Sequence, residues 1–215
     1  MELLLRQKVS ITGSGRTDTG VHALQQYFHF DFNEILDHHK FIYKLNSFLT
    51  PDISIKAIKC VNADAHARFS ATERSYIYKI NQTKDPFEHH LSYSFSKKLN
   101  IKQMQKACES LVGERDFKSF SRVKTDVNNF ICNVFHAEWC EQDEKLTFNI
   151  SANRFLRGMV RCIVGTMLSV GEGKVSLDQF NSIINAKDRT RAGRAVPPEG
   201  LYLSKVIYPK EILER

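Results

Sequence analysis

The stretch that decides the fold class runs from residue 130 to residue 170 and reads FICNVFHAEWCEQDEKLTFNISANRFLRGMVRCIVGTMLSV. Its first half predicts two strands, Phe130–Trp139 and Leu146–Ser151, which pair with each other. Its second half predicts a helix from Asn153 to about Val170 with one apolar side. Because no long parallel crossover lies between these elements, the stretch favours an α+β fold with helices on one side of a mostly antiparallel sheet.

The rest of the chain continues this alternation of strands and helices. Further strands are predicted at Val9–Thr12, Val21–Phe32, Ile53–Val61, Ser75–Ile80 and Leu201–Tyr208. Further helices are predicted at Glu2–Gln7, Asn33–Phe48, Asn100–Gly113 and from Ser176, where Gln179 completes a capping box. Within Ser75–Ile80 the residues alternate, so that Tyr76, Tyr78 and Ile80 share one face, and one face is expected to be buried.

Composition narrows the class of protein. The chain has 215 residues, 42% of them hydrophobic, which is enough for one large or two small domains with a core. No apolar run approaches the roughly 20 residues of a membrane span, and the N-terminus does not resemble a secretion signal, so a cytoplasmic protein is expected. The net charge of +7 suits a polyanionic partner but is also common in proteins that bind none.

Cysteine and histidine usage argues against a metal centre. The five cysteines are odd in number and form no CxxC pair, which predicts mostly buried free thiols instead of a disulfide framework or zinc ribbon. The pairs His38-His39 and His89-His90 lack the spacing that places two imidazoles on one helical face. We therefore expect no catalytic metal.

The densest run of turn-forming residues is Thr12–Ala23, which reads TGSGRTDTGVHA. Its glycines let a backbone approach a ligand, but a dinucleotide fingerprint would need glycine at position 18. A Walker loop counted from Gly15 meets Val21 where lysine is required. Two interpretations of Asp18 remain: it caps its own turn, or it is a functional acid supported by partners elsewhere.

Two basic motifs could supply those partners. On the predicted helix from Asn153, Arg154, Arg157 and Arg161 form one stripe without an acid, typical of a solvated face, a phosphate site or a cation that holds a carboxylate. In the segment from residue 66 to residue 76, arginines flank aromatic rings, a pattern suited to RNA but also to core packing. His22 and His66 are more often structural than catalytic.

Taken together, these motifs resemble the tRNA pseudouridine synthase A family. The matching runs are Gly15–Ala23 for the aspartate signature, His66–Ala71 with Arg74–Tyr78 for the tyrosine strand, Phe155–Gly165 for the arginine helix and Glu199–Leu203 for the closing strand. They occur in the family's order between about residue 10 and residue 208. This order makes a chance match untenable.

The resemblance implies a fold and a site. The fold is the pseudouridine synthase fold, α+β, with two ferredoxin-like halves at 1–64 and 65–215 and a catalytic cleft between them. Asp18 would be the nucleophile, Tyr76 the ring against the target uracil and Arg161 the partner of Asp18. RNA would be bound by Arg16, His22, Arg68, Phe69, Arg74, Arg154 and Arg157. Because arginine stays protonated at any working pH, it suits a carboxylate that must remain ionised away from water.

The resemblance also implies a substrate and an assembly. The substrate would be tRNA, modified at uridines on the 3′ side of the anticodon stem-loop by a homodimer that holds one tRNA across both subunits. Isomerisation needs no net redox change, so neither a cofactor, a nucleotide nor a metal is expected. Whether Asp18 attacks uracil C6 or ribose C1′, or removes a proton from C2′, stays open at this stage.

One departure from the family concerns the N-terminus. The family begins with a strand and a helix, whereas this chain opens at what resembles the end of that helix, and we expect poor stability or altered association. A second hypothesis is therefore a catalytically silent tRNA-binding protein or inactive fragment. A third, weaker hypothesis is a nucleotide-binding protein that uses the glycine turn.

Overall fold

The computed structural model describes residues 1–34, 36–122 and 128–213. The chain divides into two compact units built from interleaved segments. The smaller unit comprises Met1–Gly15, Tyr27–Ala71 and Tyr208–Arg215, and the larger unit comprises Arg16–Gln26 and Thr72–Ile207. The division into halves at residues 64 and 65 stays a prediction.

The described elements are short at the N-terminus and longer after residue 72. The strands are β1 Thr12–Gly13, β2 His22–Ala23, β3 Phe28–His29, β4 Glu73–Asn81, β5 Tyr93–Ser94, β6 Gly113–Asp116, β7 Ile131–Gln142, β8 Lys145–Ala152 and β9 Leu201–Ile207. The helices are α1 Glu2–Leu5, α2 His38–Phe48, α3 Ile101–Glu109, α4 Met159–Gly171, α5 Leu177–Ala186 and α6 Lys210–Leu213. Single 3₁₀ turns occupy Pro86–Glu88, Lys118–Phe120, Arg189–Arg191 and Pro198–Gly200.

The larger unit contains a seven-stranded sheet with the order β2-β9-β4-β8-β7-β6, and β5 adds to the end of β4. Every pairing is antiparallel except β2 with β9 and β4 with β5. Strand β8 pairs along its whole length with β4 on one side and with β7 on the other. The prediction of an α+β fold with mostly antiparallel pairing is confirmed.

The core of the larger unit lies between the sheet and the helices α3, α4 and α5. Tyr78 and Ile80 are fully buried, as the alternation along β4 predicted, and Trp139 packs against Phe148 with ring centroids 5.0 Å apart. The predicted caps at Asn100 and Ser176 are both present, the second as a complete capping box. Removing apolar area of this kind from water is the main stabilising contribution to a fold.

The smaller unit has less regular structure. Strands β1 and β3 pair over two residues, and α2 is capped by the Asp37 side chain and buries Phe41 and Leu45. The Asn46 side chain accepts a hydrogen bond from the backbone N–H of Ile55 at 2.7 Å and donates one to its carbonyl at 2.9 Å. The Asn46 side chain thus fixes the backbone at Ile55, after α2, in place of hydrogen bonds to a neighbouring strand.

Several predicted boundaries are wrong. The strand predicted over Val21–Phe32 is two short strands in different units, because the Gln25 side chain turns to accept the Val206 N–H. The helix predicted from Asn33 begins at His38, and Ile35 lies outside the described residues. No strand forms over Ile53–Val61, where side chains such as Asn46 satisfy the backbone instead.

Two findings concern the whole described chain. None of its helices combines the length and the apolar character that crossing a membrane requires. All five cysteines are free thiols, of which Cys108, Cys132 and Cys162 are buried, as predicted. Burial raises the pKa of Cys108 to about 12, so this thiol stays protonated and unreactive at neutral pH.

Candidate active site

The segment that carries Asp18 is fixed by a tight turn and a strand. The N–H of Val21 donates to the Asp18 carbonyl at 3.1 Å, and Gly20 adopts a left-handed φ of 83°. A Cβ at residue 20 would lie 3.0 Å from the Pro198 side chain, so the turn packs too closely there for a larger residue. Strand β2 then pairs with β9, which places Asp18 four residues from the sheet edge.

The Asp18 carboxylate forms a close ion pair with Arg161. The distance from Arg161 Nη1 to Asp18 Oδ2 is 2.7 Å, and the two side chains are 18% and 23% exposed. A charge-assisted hydrogen bond of this length, partly shielded from water, is stronger than a neutral one. Asp18 is therefore more than the cap of its own turn.

The Arg161 side chain is itself held in place by backbone. Its Nε donates to the Val196 carbonyl at 2.7 Å, and the Val196 N–H donates to the Arg161 carbonyl at 3.1 Å. The loop before β9 rests on α4 at two glycines, since a Cβ on Gly165 would overlap the Arg194 carbonyl oxygen and one on Gly193 would lie 2.9 Å from the Thr166 nitrogen. This close contact keeps the acceptor of Arg161 in register with the helix.

A second arginine approaches the same carboxylate from outside the helix. Arg157 Nε lies 3.9 Å from Asp18 Oδ1, and its side chain is 58% exposed. The predicted helical stripe of three arginines is wrong, because β8 extends to Ala152 and the helix begins only after Gly158, whose φ of 71° is left-handed. Arg157 and Arg161 nevertheless face the two oxygens of one carboxylate.

Tyr76 lies on β4 in the same unit, partly buried, with its ring edge-on to Phe155 at a centroid distance of 5.1 Å. Burial raises the pKa of the Tyr76 phenol, and the negative charge of Asp18 adds to that rise while Arg74 opposes it. Tyr76 is thus within electrostatic range of Asp18. Its hydroxyl keeps its proton at neutral pH in the free protein.

The other basic residues predicted in this unit have separate environments. Arg16 is exposed on the Asp18 segment, two residues before the acid. Arg74 Nη1 donates to the Asn153 carbonyl at 3.2 Å, which ties β4 to the turn after β8. Arg154 lies close enough to Cys132 that its charge opposes the burial that raises the pKa of this thiol to about 11.

His22 is engaged by the protein. Its ring stacks on Tyr202 with centroids 4.6 Å apart, and its Nε2 donates to the His90 carbonyl at 2.9 Å. Lys79 Nζ lies 4.4 Å from the Tyr202 ring centroid, so residues from the strands on both sides of β9 contact this ring. These contacts favour a structural role for His22 over the predicted RNA contact.

Arg68 and Phe69 belong to the smaller unit. Both side chains are exposed, Phe69 to 75%, and Arg68 Cζ lies 5.4 Å from the Phe69 ring centroid. An exposed arginine next to an exposed ring can bind a phosphate and stack a base.

Comparison with known proteins adds to this geometry. The family model described as tRNA pseudouridine synthase matches residues 107–209. A protein of Parabacteroides distasonis named tRNA pseudouridine synthase A is 45% identical over 213 residues, covering 99% of this chain and 84% of the relative. The chain belongs to the tRNA pseudouridine synthase A family. Proteins of the same name are 46% identical over 212 residues in Bacteroides fragilis and 40% identical over 205 residues in Bacillus subtilis, covering 98% and 94% of this chain and 84% and 83% of the relatives.

Membership in this family of isomerases gives the ion pair a chemical context. A carboxylate held by a guanidinium, within electrostatic range of a tyrosine, can attack or deprotonate a base or sugar that enters next to it. Sequence reasoning missed the contributions of Val196 and Pro198. Val196 acts through its backbone carbonyl and Pro198 through packing, and neither contact can be recognised from residue type. Phe155 lies within a motif that matches the family, but the motif does not indicate its contact with Tyr76.

Proposed function

We propose that this protein converts uridine to pseudouridine in the anticodon stem-loop of tRNA, on the 3′ side of the stem, with Asp18 as the nucleophile. The observation that carries the proposal is the 2.7 Å ion pair between Asp18 and Arg161, in a chain of the pseudouridine synthase A family. The names of the relatives support the reaction and the class of RNA. The roles proposed for individual residues come from the family resemblance and agree with the chemistry of their side chains.

The reaction is an isomerisation, so its atoms balance without a co-reactant. The Asp18 carboxylate starts it by attack, the bond from ribose C1′ to uracil N1 breaks, and the uracil turns. A bond then forms between C1′ and C5, and the bond that Asp18 made in its attack breaks and restores the carboxylate. The proton on C5 is lost and N1 gains one. Arg161 orients the Asp18 carboxylate through their ion pair, and the Val196 carbonyl in turn orients Arg161.

Tyr76 supplies the ring against the uracil. Its ring is partly buried and supported edge-on by Phe155, an arrangement that offers a firm apolar surface to a flat base. Because burial raises the pKa of the phenol, Tyr76 enters the reaction as a neutral hydroxyl. It can then donate or relay a proton but is not a ready-made base.

RNA binding draws on basic and aromatic residues of both units. A uridine in a stem is out of reach until it leaves the stack, at a cost of about a few kcal/mol. Contacts with phosphates and stacked bases offset that cost. The proposed contacts are Arg16, Arg68, Phe69, Arg74, Arg154 and Arg157. His22 supports the Asp18 segment from β2 through its contacts with Tyr202 and His90.

The setting of the reaction is part of the proposal. We propose a homodimer that holds one tRNA across both subunits and works in the cytoplasm. Since uridine and pseudouridine have the same composition and oxidation state, the chemistry calls for no nucleotide cofactor. The formal charge of +7 suits the polyanionic substrate.

The decisive experiment incubates the purified protein with a uridine-containing tRNA transcript and maps pseudouridine. We expect product on the 3′ side of the anticodon stem, and we expect Asp18→Asn to lower kcat by at least about 10³-fold. Asp143→Asn, an exposed carboxylate in the turn between β7 and β8, is the matched control and keeps full activity.

Each other outcome has a distinct meaning. Equal product from wild type and Asp18→Asn removes Asp18 from its role. Binding of tRNA without product favours the silent tRNA-binding protein. Product at other uridines overturns the proposed specificity, and affinity for a mononucleotide with none for tRNA favours the glycine-turn hypothesis.

A further inference from the structure

The turn His66–Ser70 has its backbone groups held by side chains. The N–H of Ala67 donates to His29 Nδ1 at 3.0 Å, and those of Arg68 and Phe69 donate to His66 Nδ1 at 3.1 and 3.2 Å. The His66 N–H donates to Ser70 Oγ at 3.0 Å, and the Ser70 N–H donates back to the His66 carbonyl at 2.9 Å. Three consecutive backbone donors thus end on two imidazole nitrogens.

Ala67, the one buried residue of this turn, has both of its backbone polar groups in hydrogen bonds. Ala67 is 7% exposed, with its N–H on His29 and its carbonyl accepting from the Tyr208 hydroxyl at 2.5 Å. Arg68 and Phe69, the next two residues, are exposed. The turn therefore fixes its backbone inside and presents a guanidinium and a phenyl ring outside.

The same imidazoles also support the exposed ring. The rings of His29 and His66 lie 4.9 Å apart, and those of His66 and Phe69 lie 4.4 Å apart. Arg68 follows with its Cζ 5.4 Å from the Phe69 centroid. The four groups form a row from the partly buried His29 and His66 to the exposed Phe69 and Arg68.

We infer that His29 and His66 are positioning residues that preorganise Arg68 and Phe69 for RNA binding. The inference rests on the proposed function, because it takes RNA as the ligand of this turn. Both imidazoles act as acceptors at Nδ1, so each carries its proton at Nε2. Neither needs to touch RNA to serve this role.

The physical basis is conformational entropy, because a loop that is already ordered loses little of it when RNA binds. A loop that must order itself upon binding loses affinity, whereas one held in its bound shape does not. The turn HARFS contains neither glycine nor proline, and four of its five backbone N–H groups donate to side-chain acceptors. Loss of an acceptor should loosen the turn and weaken RNA binding while leaving chemistry in the bound state intact.

The test compares two substitutions at each of His29 and His66 with one control variant. Phenylalanine keeps a ring but removes the acceptor, whereas asparagine places its Oδ1 near the former Nδ1 and keeps it. His39→Phe is the matched control, since His39 is an exposed histidine of α2 in the same unit. The readouts are Kd for the tRNA transcript, kcat at saturating tRNA and amide hydrogen exchange of residues 67–69.

We expect His66→Phe and His29→Phe each to raise Kd about tenfold, with kcat within about twofold of wild type. His66→Asn and His29→Asn should restore Kd to within about threefold. Exchange at residues 67–69 should become fast in the phenylalanine variants and stay slow in the asparagine variants and in His39→Phe. The thermal midpoint confirms that every variant is folded at the assay temperature.

Several results would overturn the inference. They are an unchanged Kd in His66→Phe, a loss in kcat with Kd unchanged, failure of asparagine to restore binding, or an equal loss in His39→Phe. If wild type binds and modifies tRNA while these results appear, only the inference fails. If wild type neither binds nor modifies tRNA, the proposed function fails, and the exchange measurement still tests how the turn is held.

Discussion

Two regions of this chain present functional side chains by different means. The Asp18 segment is held by strand pairing with β9 and by an ion pair to Arg161 on α4, all within the larger unit. The turn His66–Ser70 in the smaller unit makes no strand ladder and is held by imidazole acceptors. A rigid sheet thus suits an atom that must react, whereas hydrogen bonds within a turn suffice for a surface that must only bind.

The comparison predicts that damage near Asp18 lowers kcat while damage near Arg68 lowers affinity. The largest effect is expected at Arg161. Arg161→Met removes the cation that faces Asp18 Oδ2 and should lower kcat by about 10²- to 10³-fold, with Kd for tRNA nearly unchanged. Single-turnover kinetics and a binding titration measure the two quantities separately.

Arg161→Lys sharpens this first prediction. Lysine keeps a positive charge but has no second nitrogen donor for the Val196 carbonyl, so kcat should recover only in part. Full recovery would show that charge alone matters and that the Val196 contact does not orient the pair. A rise in Kd equal to the loss in rate would instead place Arg161 among the RNA contacts.

A smaller effect is expected at His22, which lies on β2 four residues after Asp18. His22→Phe keeps the stack on Tyr202 but loses the hydrogen bond to the His90 carbonyl, and kcat should fall about three- to tenfold. His22→Gln keeps a donor and should recover much of that loss. If His22→Phe raises Kd and leaves kcat alone, His22 contacts RNA and the comparison between the two regions breaks.

The smallest effect is expected at Arg157. Its Nε is 3.9 Å from Asp18 and its side chain is 58% exposed, so screening by water leaves little interaction energy in this pair. Arg157→Met should change kcat less than about threefold, and the slope of log Kd against log salt should decrease by about one. A salt series from low to moderate ionic strength checks this. An unchanged slope would separate Arg157 from the phosphates.

Much of the larger unit could be predicted because its signals are local. The alternation in Ser75–Ile80, the hairpin of β7 and β8, and the capping box from Ser176 each depend on near neighbours in sequence, and each is present. Resemblance to the family paired Asp18 with Arg161, and the two side chains are in contact. Their catalytic roles stay proposals.

What escaped prediction depends on backbone or distant contacts. The spacing of the arginines predicted a helix that includes Arg154. The helix cannot begin there, because β8 extends to Ala152 and Gly158 has a left-handed conformation. The acceptor at Val196 is a backbone carbonyl, which any residue would provide, so the sequence gives no sign of it. Ala67 and His29 are 38 residues apart, too far for local patterns to reveal their contact. In the smaller unit, side-chain hydrogen bonds replace ladders, so propensity for strands at Ile53–Val61 was misleading.

The close contact of Gly165 and Gly193 between α4 and the loop before β9 limits which substitutions the chain can accept there. The carbonyl that orients Arg161 belongs to every amino acid, so residue 196 tolerates exchange among apolar side chains of similar size. Residue 165 does not, because a single methyl group would push the Arg194 backbone away from the helix. A position that has no side chain thus limits substitution more strongly than the apolar side chain next to the reactive pair.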